Sequence, residues 1–453
     1  LFLRIAEDKN DMFFSGDTAQ CIASGVGFRF EDLKMLFKYE RDRQLQGLVG
    51  GSLPSGLAVK IPEVNTLIIN YRTHNGILST AAGIVDLLEA FFPWSIDTLP
   101  REQGFFAGPK PMLLSETAVD DAAVMIVGAD RKHSQIEFGA HQVLLVRTQA
   151  AKDKLPSFFD GCLAMTILEA KGLEFDDVFL WNFLTDSKAK QEWRLVLSYL
   201  IDMDETESAR LESIMASETE KHIAGMFRPL EFNEQAHQIL CTELKHLYTA
   251  ITRARVRVVI YDEDPVNRAP LFYYLEKRGL CESVSVLGQS SSAQGMTVKT
   301  SASEWRTQGN NLLQHKMFHL AAKCFSKSGD IYLQNEAAAQ HLILHVAPTL
   351  QGKTAKLVEL YLEAAECFMI AGNSQHSVAK CCYSAGAGAQ KLGDRKQSQI
   401  FFDVAGKAYA LCARRENSTD EILKRAVGCL RKAQNLGFAV DLLVSKGRLY
   451  QAL

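Results

Sequence analysis

Three stretches in the first part of the chain are apolar almost throughout and too short for buried helices: Val143 to Val146 (VLLV), Val178 to Trp181 (VFLW) and Val256 to Tyr261 (VRVVIY). A strand with no polar face has to be covered on both sides, and in α/β folds helices provide that cover. Three further runs, Asp11 to Ser15 (DMFFS), Val64 to Ile69 (VNTLII) and Leu163 to Ile167 (LAMTI), also read as strands. Helical patterns lie between them. After Asn75, the residues Ile77, Ala81, Ile84, Leu88 and Phe91 fall at spacings of 4, 3, 4 and 3, one apolar stripe. This alternation predicts an α/β fold built on a parallel sheet.

The alternation ends at about residue 285. Gly288 to Ser303 (GQSSSAQGMTVKTSAS) is small and polar and reads as a linker. No strand pattern follows it. Ala321 to Asp330 (AAKCFSKSGD) and Ala364 to Asn373 (AAECFMIAGN) share five of ten residues at an offset of 43, with weaker echoes at Val378 to Ala387 and Ala426 to Asn435. Small residues recurring on helix faces suit closely packed antiparallel helices, so an all-α solenoid is expected. Ser187 to Ala236, charged and helical, reads as an insertion between two strands.

At 453 residues there is room for about three domains. The composition, 47% hydrophobic and 23% charged, excludes a largely disordered chain. No apolar run reaches the roughly 18 residues of a membrane span, so no membrane partner is expected. The net charge of −3 means that a nucleic acid would need a local basic surface. Ten cysteines without a CxxC pair point to a reducing, intracellular compartment. None of the eleven histidines has a metal-ligand spacing with Cys or carboxylates, so no structural metal is expected.

Four blocks carry candidate chemistry. Phe14 to Gln20 (FSGDTAQ) places Asp17 and Gln20 after a strand-like run; alone, it is equally a turn with a capping Asp. Ile68 to His74 (IINYRTH) sets Tyr71 and Arg72 at a strand-to-helix junction, where a guanidinium wants an anion or a nearby carboxylate. Met165 to Trp181 (MTILEAKGLEFDDVFLW) runs strand, turn, strand and includes Thr166, Gly172 and Glu174. Glu243 to Arg255 (ELKHLYTAITRAR) reads as a helix with Leu244, Leu247 and Ile251 buried and Lys245, Thr249 and Arg253 on another face.

In this order the blocks resemble motifs III, IV, V and VI of the UvrD/Rep-type helicases of superfamily 1. Leu145 to Ala150 (LVRTQA) resembles the RTxA strand between motifs IV and V. The resemblance covers about residues 10 to 262. With the helical tail, the chain looks most like the large eukaryotic helicase-like proteins that carry TPR and ankyrin repeats. The resemblance implies a RecA-like sheet of the P-loop NTPase fold, the second motor domain, followed by a TPR-like solenoid. It implies the end of the first RecA-like domain over 1–60, the second over 61–285 with the insertion at about 187–236, a linker over 286–303 and the solenoid over 304–453. The solenoid resembles tetratricopeptide repeats at Trp305, Gly309, Leu312, Ala321 and Phe325, and is degenerate because 43 exceeds the regular period of about 34. Protein partners are expected there.

Carried over residue by residue, the resemblance implies that Gln20 senses the γ-phosphate of ATP and that Arg72 and Arg253 contact it. These three are the candidate catalytic residues. Tyr71 would stack on adenine and Glu174 would contact the ribose, with Gly172 and Asp17 completing the nucleotide site. Thr166 would contact single-stranded nucleic acid, DNA favoured over RNA. Phe28 is a candidate base-stacking residue, with a core position as its alternative. ATP and Mg²⁺ are the implied cofactors.

The chain also departs from that pattern. It has no GxxxxGK[ST] loop, and Gly352-Lys353-Thr354 lies among helical repeats. The acidic Mg²⁺-binding motif is missing ahead of motif III, and Asp262-Glu263-Asp264 comes too late in the order. The earlier half of a motor is therefore expected upstream of Leu1, and this polypeptide alone is expected to be inactive as an ATPase. Where the family has an aromatic run after motif III the chain reads CIASGV, and Leu168 stands at the motif V His. About sixteen residues separate Ala150 from Thr166, too few for an accessory domain. The alternative is a helicase-like scaffold whose repeats recruit proteins. If the nucleotide assignment holds, Arg72 and Arg253 should emerge on one edge of the sheet.

Overall fold

A computed structural model describes residues 2–23, 27–46, 59–98, 100–114, 139–218, 220–284, 300–372, 375–414 and 419–448. The chain divides into two compact units, Leu1–Lys299 and Thr300–Leu453. Most of the proposed linker, and the segment CIASGV in part, lie outside the described residues.

Among the described residues the first unit has eight strands: β1 (Ile69–Asn70), β2 (Gln103–Gly104), β3 (Met112–Leu114), β4 (Gln142–Val146), β5 (Ala164–Thr166), β6 (Phe175–Trp181), β7 (Ala254–Tyr261) and β8 (Glu282–Val284). Six of them form one sheet in the order β5-β4-β6-β7-β3-β8, and every described pairing in it is parallel. β1 and β2 form a separate parallel pair. Numbering helices of six residues or more, the unit has α1 (Phe30–Gln46), α2 (Asn75–Phe91), α3 (Leu195–Met203), α4 (Thr206–Ser217), α5 (Lys221–Met226), α6 (Gln238–Ile251) and α7 (Pro265–Lys277). The insertion after β6 is helical, as its charge pattern predicts, and comprises α3 to α5.

The central strands match the sequence reading because their side chains have nowhere polar to go. All five residues of β4 are buried, and Leu144, Val146, Phe179, Trp181, Val259 and Tyr261 share one core cluster. In α2 the residues Ile77, Ala81, Ile84, Leu88 and Phe91 are all buried. Two expected strands fail. Asp11 to Ser15 begins at the end of a 3₁₀ turn and makes no ladder, and Phe13 is 91% exposed, so its aromatic run signals no buried strand. Val64 to Ile69 contributes only its last residue, to β1, because Leu67 and Ile68 face solvent and find no sheet to cover. Conversely, β3 was missed: three residues after a proline are too short for any periodicity. It becomes a strand because β7 and β8 flank it and bury Leu113 and Leu114 completely.

The second unit is helical throughout its described residues: α8 (Ala302–Gln314), α9 (Phe318–Ser328), α10 (Ile331–His341), α11 (Thr354–Ala371), α12 (Gln375–Lys391), α13 (Arg395–Ala413), α14 (Asp420–Lys432) and α15 (Leu436–Ser445). Each packs mainly on its neighbours in the sequence, as helix-pair arrays do. Start and stop signals are local. Ser301 and Glu304 form a capping box, and the pairs Gly329-Asp330 and Gly393-Asp394 end one helix and cap the next. Gly309 lies against the ring of buried Phe325, where an added Cβ would stand 2.6 Å from Cε1. Ala321 and Phe325, and at the repeat offset Ala364 and Phe368, are buried. Gly352-Lys353-Thr354 leads from a 3₁₀ turn into α11, with no strand before it.

Candidate nucleotide-phosphate site

Arg253 lies between the end of α6 and the start of β7. Its position follows from the helix: α6 is buried nearly all round, including the face carrying Lys245, Thr249 and Arg253. An arginine on a helix surface is usually solvated. The structure instead gives each polar group a partner. Lys245 Nζ donates to the Ser95 carbonyl at 2.6 Å, and Thr249 Oγ1 to the Lys245 carbonyl at 2.8 Å. Arg253 Nε donates to the Thr249 carbonyl at 3.0 Å, and Nη1 to the Leu173 carbonyl at 3.2 Å. Nη2 donates to Gln20 Oε1 at 2.8 Å. The guanidinium is 2% exposed. Burial pushes its pKa down to about 10, and the nearby Arg72 charge pushes the same way.

Gln20 is held from behind. Asp17 caps the 3₁₀ turn Thr18–Gln20 by accepting from the Ala19 amide at 3.0 Å. Its other oxygen accepts from Gln20 Nε2 at 2.7 Å and from Tyr248 Oη at 3.1 Å. Burial, and next the Asp17 charge, push the Tyr248 phenol far above its usual range, so it stays a neutral donor. The result is a relay, Tyr248–Asp17–Gln20–Arg253, in which Asp17 positions its neighbours with both oxygens engaged. Tyr248 was not singled out from the sequence, although it lies in the fourth block one turn before Thr252.

Arg72 reaches the same place from the turn after β1. The Asn70 side chain fixes that turn by accepting from the Arg72 and Thr73 amides at 2.8 and 3.1 Å. Thr73 Oγ1 then donates to the Arg255 carbonyl at 3.0 Å, tying the turn to β7. Arg72 Nε donates to Glu174 at 2.7 Å, and Arg255 lies 3.7 Å from the other Glu174 oxygen. Gly172, at φ +90°, makes the turn that delivers Glu174 to the start of β6, and a side chain there would have open space but a strained backbone. Tyr71 is 82% exposed, and its ring lies 5.0 Å from that of Phe105. Gln20, Arg72, Asp17, Tyr248 and Thr252 all line one cavity of about 160 Å³. Arg253 and Glu174 do not line that cavity; they join Gln20, Arg72 and Asp17 in one cluster through the Arg253–Gln20 and Arg72–Glu174 hydrogen bonds.

Asp97 is a second residue that the sequence did not mark. Its carboxylate accepts from the amides of Phe30 and Glu31, capping α1 from far along the chain, and its own amide donates to Thr18 Oγ1 at 3.0 Å. It thereby ties α1 to the turn that carries Gln20.

Thr166 is placed elsewhere. It ends β5, whereas Glu174 precedes β6 and Arg253 precedes β7; because these strands are parallel, Thr166 lies at the opposite end of the sheet. Its hydroxyl donates to Glu169 at 3.1 Å, and its amide to the same oxygen at 2.7 Å. Lys152 also pairs with Glu169, at 3.1 Å. Phe28 is half-buried, precedes α1 and packs edge-on against Phe30 at 5.1 Å. Arg147 of the RTxA strand forms a bidentate pair with buried Glu243, a structural use of that residue. No group of three or more potential metal ligands occurs among the described residues. No described helix is long and apolar enough to cross a membrane.

No family model matches the chain, so the helicase resemblance rests on its motifs alone. No solved structure matches it either. Among curated proteins the chain is similar to the human "TPR and ankyrin repeat-containing protein 1", with 41% identity over 372 residues, and that match takes in 82% of this chain but only 12% of the relative's length.

Proposed function

We propose that the first unit is the second, RecA-like motor domain of a UvrD-type ATP-dependent helicase or translocase, and that the second unit is a TPR-like scaffold for protein partners. The observation that carries this reading is the convergence of Gln20, Arg72, Arg253 and Glu174 from four separate blocks into one cluster. Two guanidinium groups near each other, one almost fully buried, repel, and an anion between them relieves that repulsion. A triphosphate fits this demand. The Arg72–Glu174 pair is half exposed, so phosphate oxygens can displace the carboxylate at little cost and leave Glu174 free for ribose hydroxyls.

ATP would supply the transferable phosphoryl group, whose equatorial oxygens gain charge in the transition state. Arg253 and Arg72 would stabilise that charge, Gln20 would report its arrival to Asp17 and Tyr248, and Tyr71 with Phe105 would offer a face to the adenine. The phosphate loop and the Mg²⁺ ligands would come from residues outside this chain. In a protein joining such a loop to this chain, Arg253→Ala is expected to lower ATP turnover by roughly 10³-fold or more while nucleotide binding changes little. Turnover within a few-fold of wild type would reduce Arg253 to a structural residue and remove the motor assignment.

A helicase-like scaffold is the second reading, and one observation favours it. Thr166 spends its hydroxyl on Glu169, and Leu168 stands 58% exposed where the family places a His. Single-stranded DNA that leaves the ATP turnover of the joined protein unchanged would select the scaffold.

A further inference from the structure

The helical unit contains a groove of about 690 Å³ that the first unit's chemistry does not use. Two helices that flank α13 line it with the same spacing. α12 contributes Ser377, Lys380, Cys381 and Ser384, and α14 contributes Arg425, Gly428, Cys429 and Lys432. In each, steps of three, one and three residues draw a single stripe along the helix. The weak sequence echo between these segments aligns Cys381 with Cys429 and Ser384 with Lys432, and Ser377 and Arg425 stand one residue before it in the same register. The groove is therefore a product of the repeat.

Its chemistry is one-sided. Lys380, Arg425 and Lys432 supply positive charge and Tyr361, Tyr383 and Tyr409 supply aromatic walls, while no Asp or Glu lines it among the described residues. Lys432 Nζ sits 4.7 Å from the Tyr383 ring centroid and 4.9 Å from that of Phe402, and donates to Tyr383 Oη at 3.0 Å. Those contacts orient the ammonium without neutralising it. Arg425 is held at 3.1 Å by Glu421, one turn back on its own helix, and both are well exposed, so a ligand carboxylate can compete. Gly428 sits in the middle of the α14 stripe, and a Cβ built there meets nothing within 4 Å. The missing side chain keeps the groove open.

We propose that this groove binds an acidic, partly apolar peptide segment of a protein partner, its carboxylates meeting Lys380, Arg425 and Lys432 and its apolar side chains lying against the tyrosines. The proposal rests on the scaffold role given above to the helical unit, and adds the charge of the ligand. Apolar walls alone would accept many segments; the cations, with no carboxylate lining the groove among the described residues, select an acidic one.

The test uses the whole chain and fluorescein-labelled peptides alternating Leu with Glu, with Lys or with Ser, followed by fluorescence anisotropy. The Leu–Glu peptide is expected to bind most tightly. Lys380→Glu, Arg425→Glu and Lys432→Glu should each weaken it roughly tenfold, and added salt should weaken it too. Gly428→Phe, which fills the groove without touching a charge, should abolish binding. Circular dichroism checks that each variant keeps its helices. Equal affinity for all three peptides, or a Leu–Glu affinity indifferent to the charge reversals, overturns the acidic specificity. If the Leu–Ser peptide binds as well and Gly428→Phe still blocks it, the scaffold reading stands and this proposal falls. If Gly428→Phe leaves Leu–Glu binding intact, the groove is not the site.

Discussion

Arg253 keeps its positive charge in a place that has removed nearly all of its water. The folded state lowers its pKa to about 10, so at neutral pH the buried charge is a standing cost that four hydrogen-bond acceptors only partly offset. An anion that reaches it should offset more. Tripolyphosphate is therefore expected to raise the melting temperature of this chain, whose sequence has no phosphate loop to dominate binding, more than that of Arg253→Met, as differential scanning fluorimetry would show. Asp262 is the mirror case. It accepts from the Leu184 and Thr185 amides and from Thr185 Oγ1, yet burial dominates and pushes its pKa from 3.8 up to about 6. A carboxyl that holds its proton more tightly when folded stabilises the fold fully below 3.8, and this contribution is lost as pH rises through about 6. Asp262→Asn, a permanently neutral mimic, should thus lose that slope. The difference in melting temperature between variant and wild type should grow in favour of the variant from about pH 4 to about pH 6.5. A constant difference across that range would mean that Asp262 is ionised throughout.

Individual helices show how one substitution changes sign with its surroundings. At Gly309 an added methyl meets the Phe325 ring at 2.6 Å, inside a helix pair with no slack. Overpacking there costs about 1–3 kcal/mol, which exceeds the gain of about 1 kcal/mol from replacing a helical glycine. At Gly428 the methyl meets nothing, so only the gain remains. Urea denaturation of Gly309→Ala and Gly428→Ala should therefore show a loss of stability in the first and a rise of about 0.5–1 kcal/mol in the second. Among strands the same dependence on surroundings appears. β4 and β6 are apolar enough to be recognised alone, whereas β3 is a strand because two neighbours pair with it, and Val64 to Leu67 belongs to no described ladder.

For the whole molecule, the division at Lys299 and Thr300 separates an α/β unit from a helical one. Each has its own buried core: the sheet residues around Trp181 and Tyr261, and the helix residues around Phe368 and Tyr409. Residues 1–299 and 300–453, expressed separately, are expected each to unfold in one cooperative transition by calorimetry. If either half shows none, the chain is a single folding unit.

The linear sequence determined what depends on near neighbours: the doubly apolar strands, the stripe of α2, the capping signals, the small-against-large packing of Gly309 and Phe325, and the four ordered blocks. Periodicity and caps act over a few residues, so they survive without a fold. Tertiary structure decided which distant groups meet. Tyr248 became part of the site only through Asp17, and Asp97 caps α1 although it lies far along the chain from it. Thr166, in the same block as Glu174, was carried to the other end of the sheet by the parallel course of β5 and β6. The cationic groove likewise needed α12 and α14 to face one space. Such pairings depend on the energy of burial and on strand direction, which a local pattern does not encode.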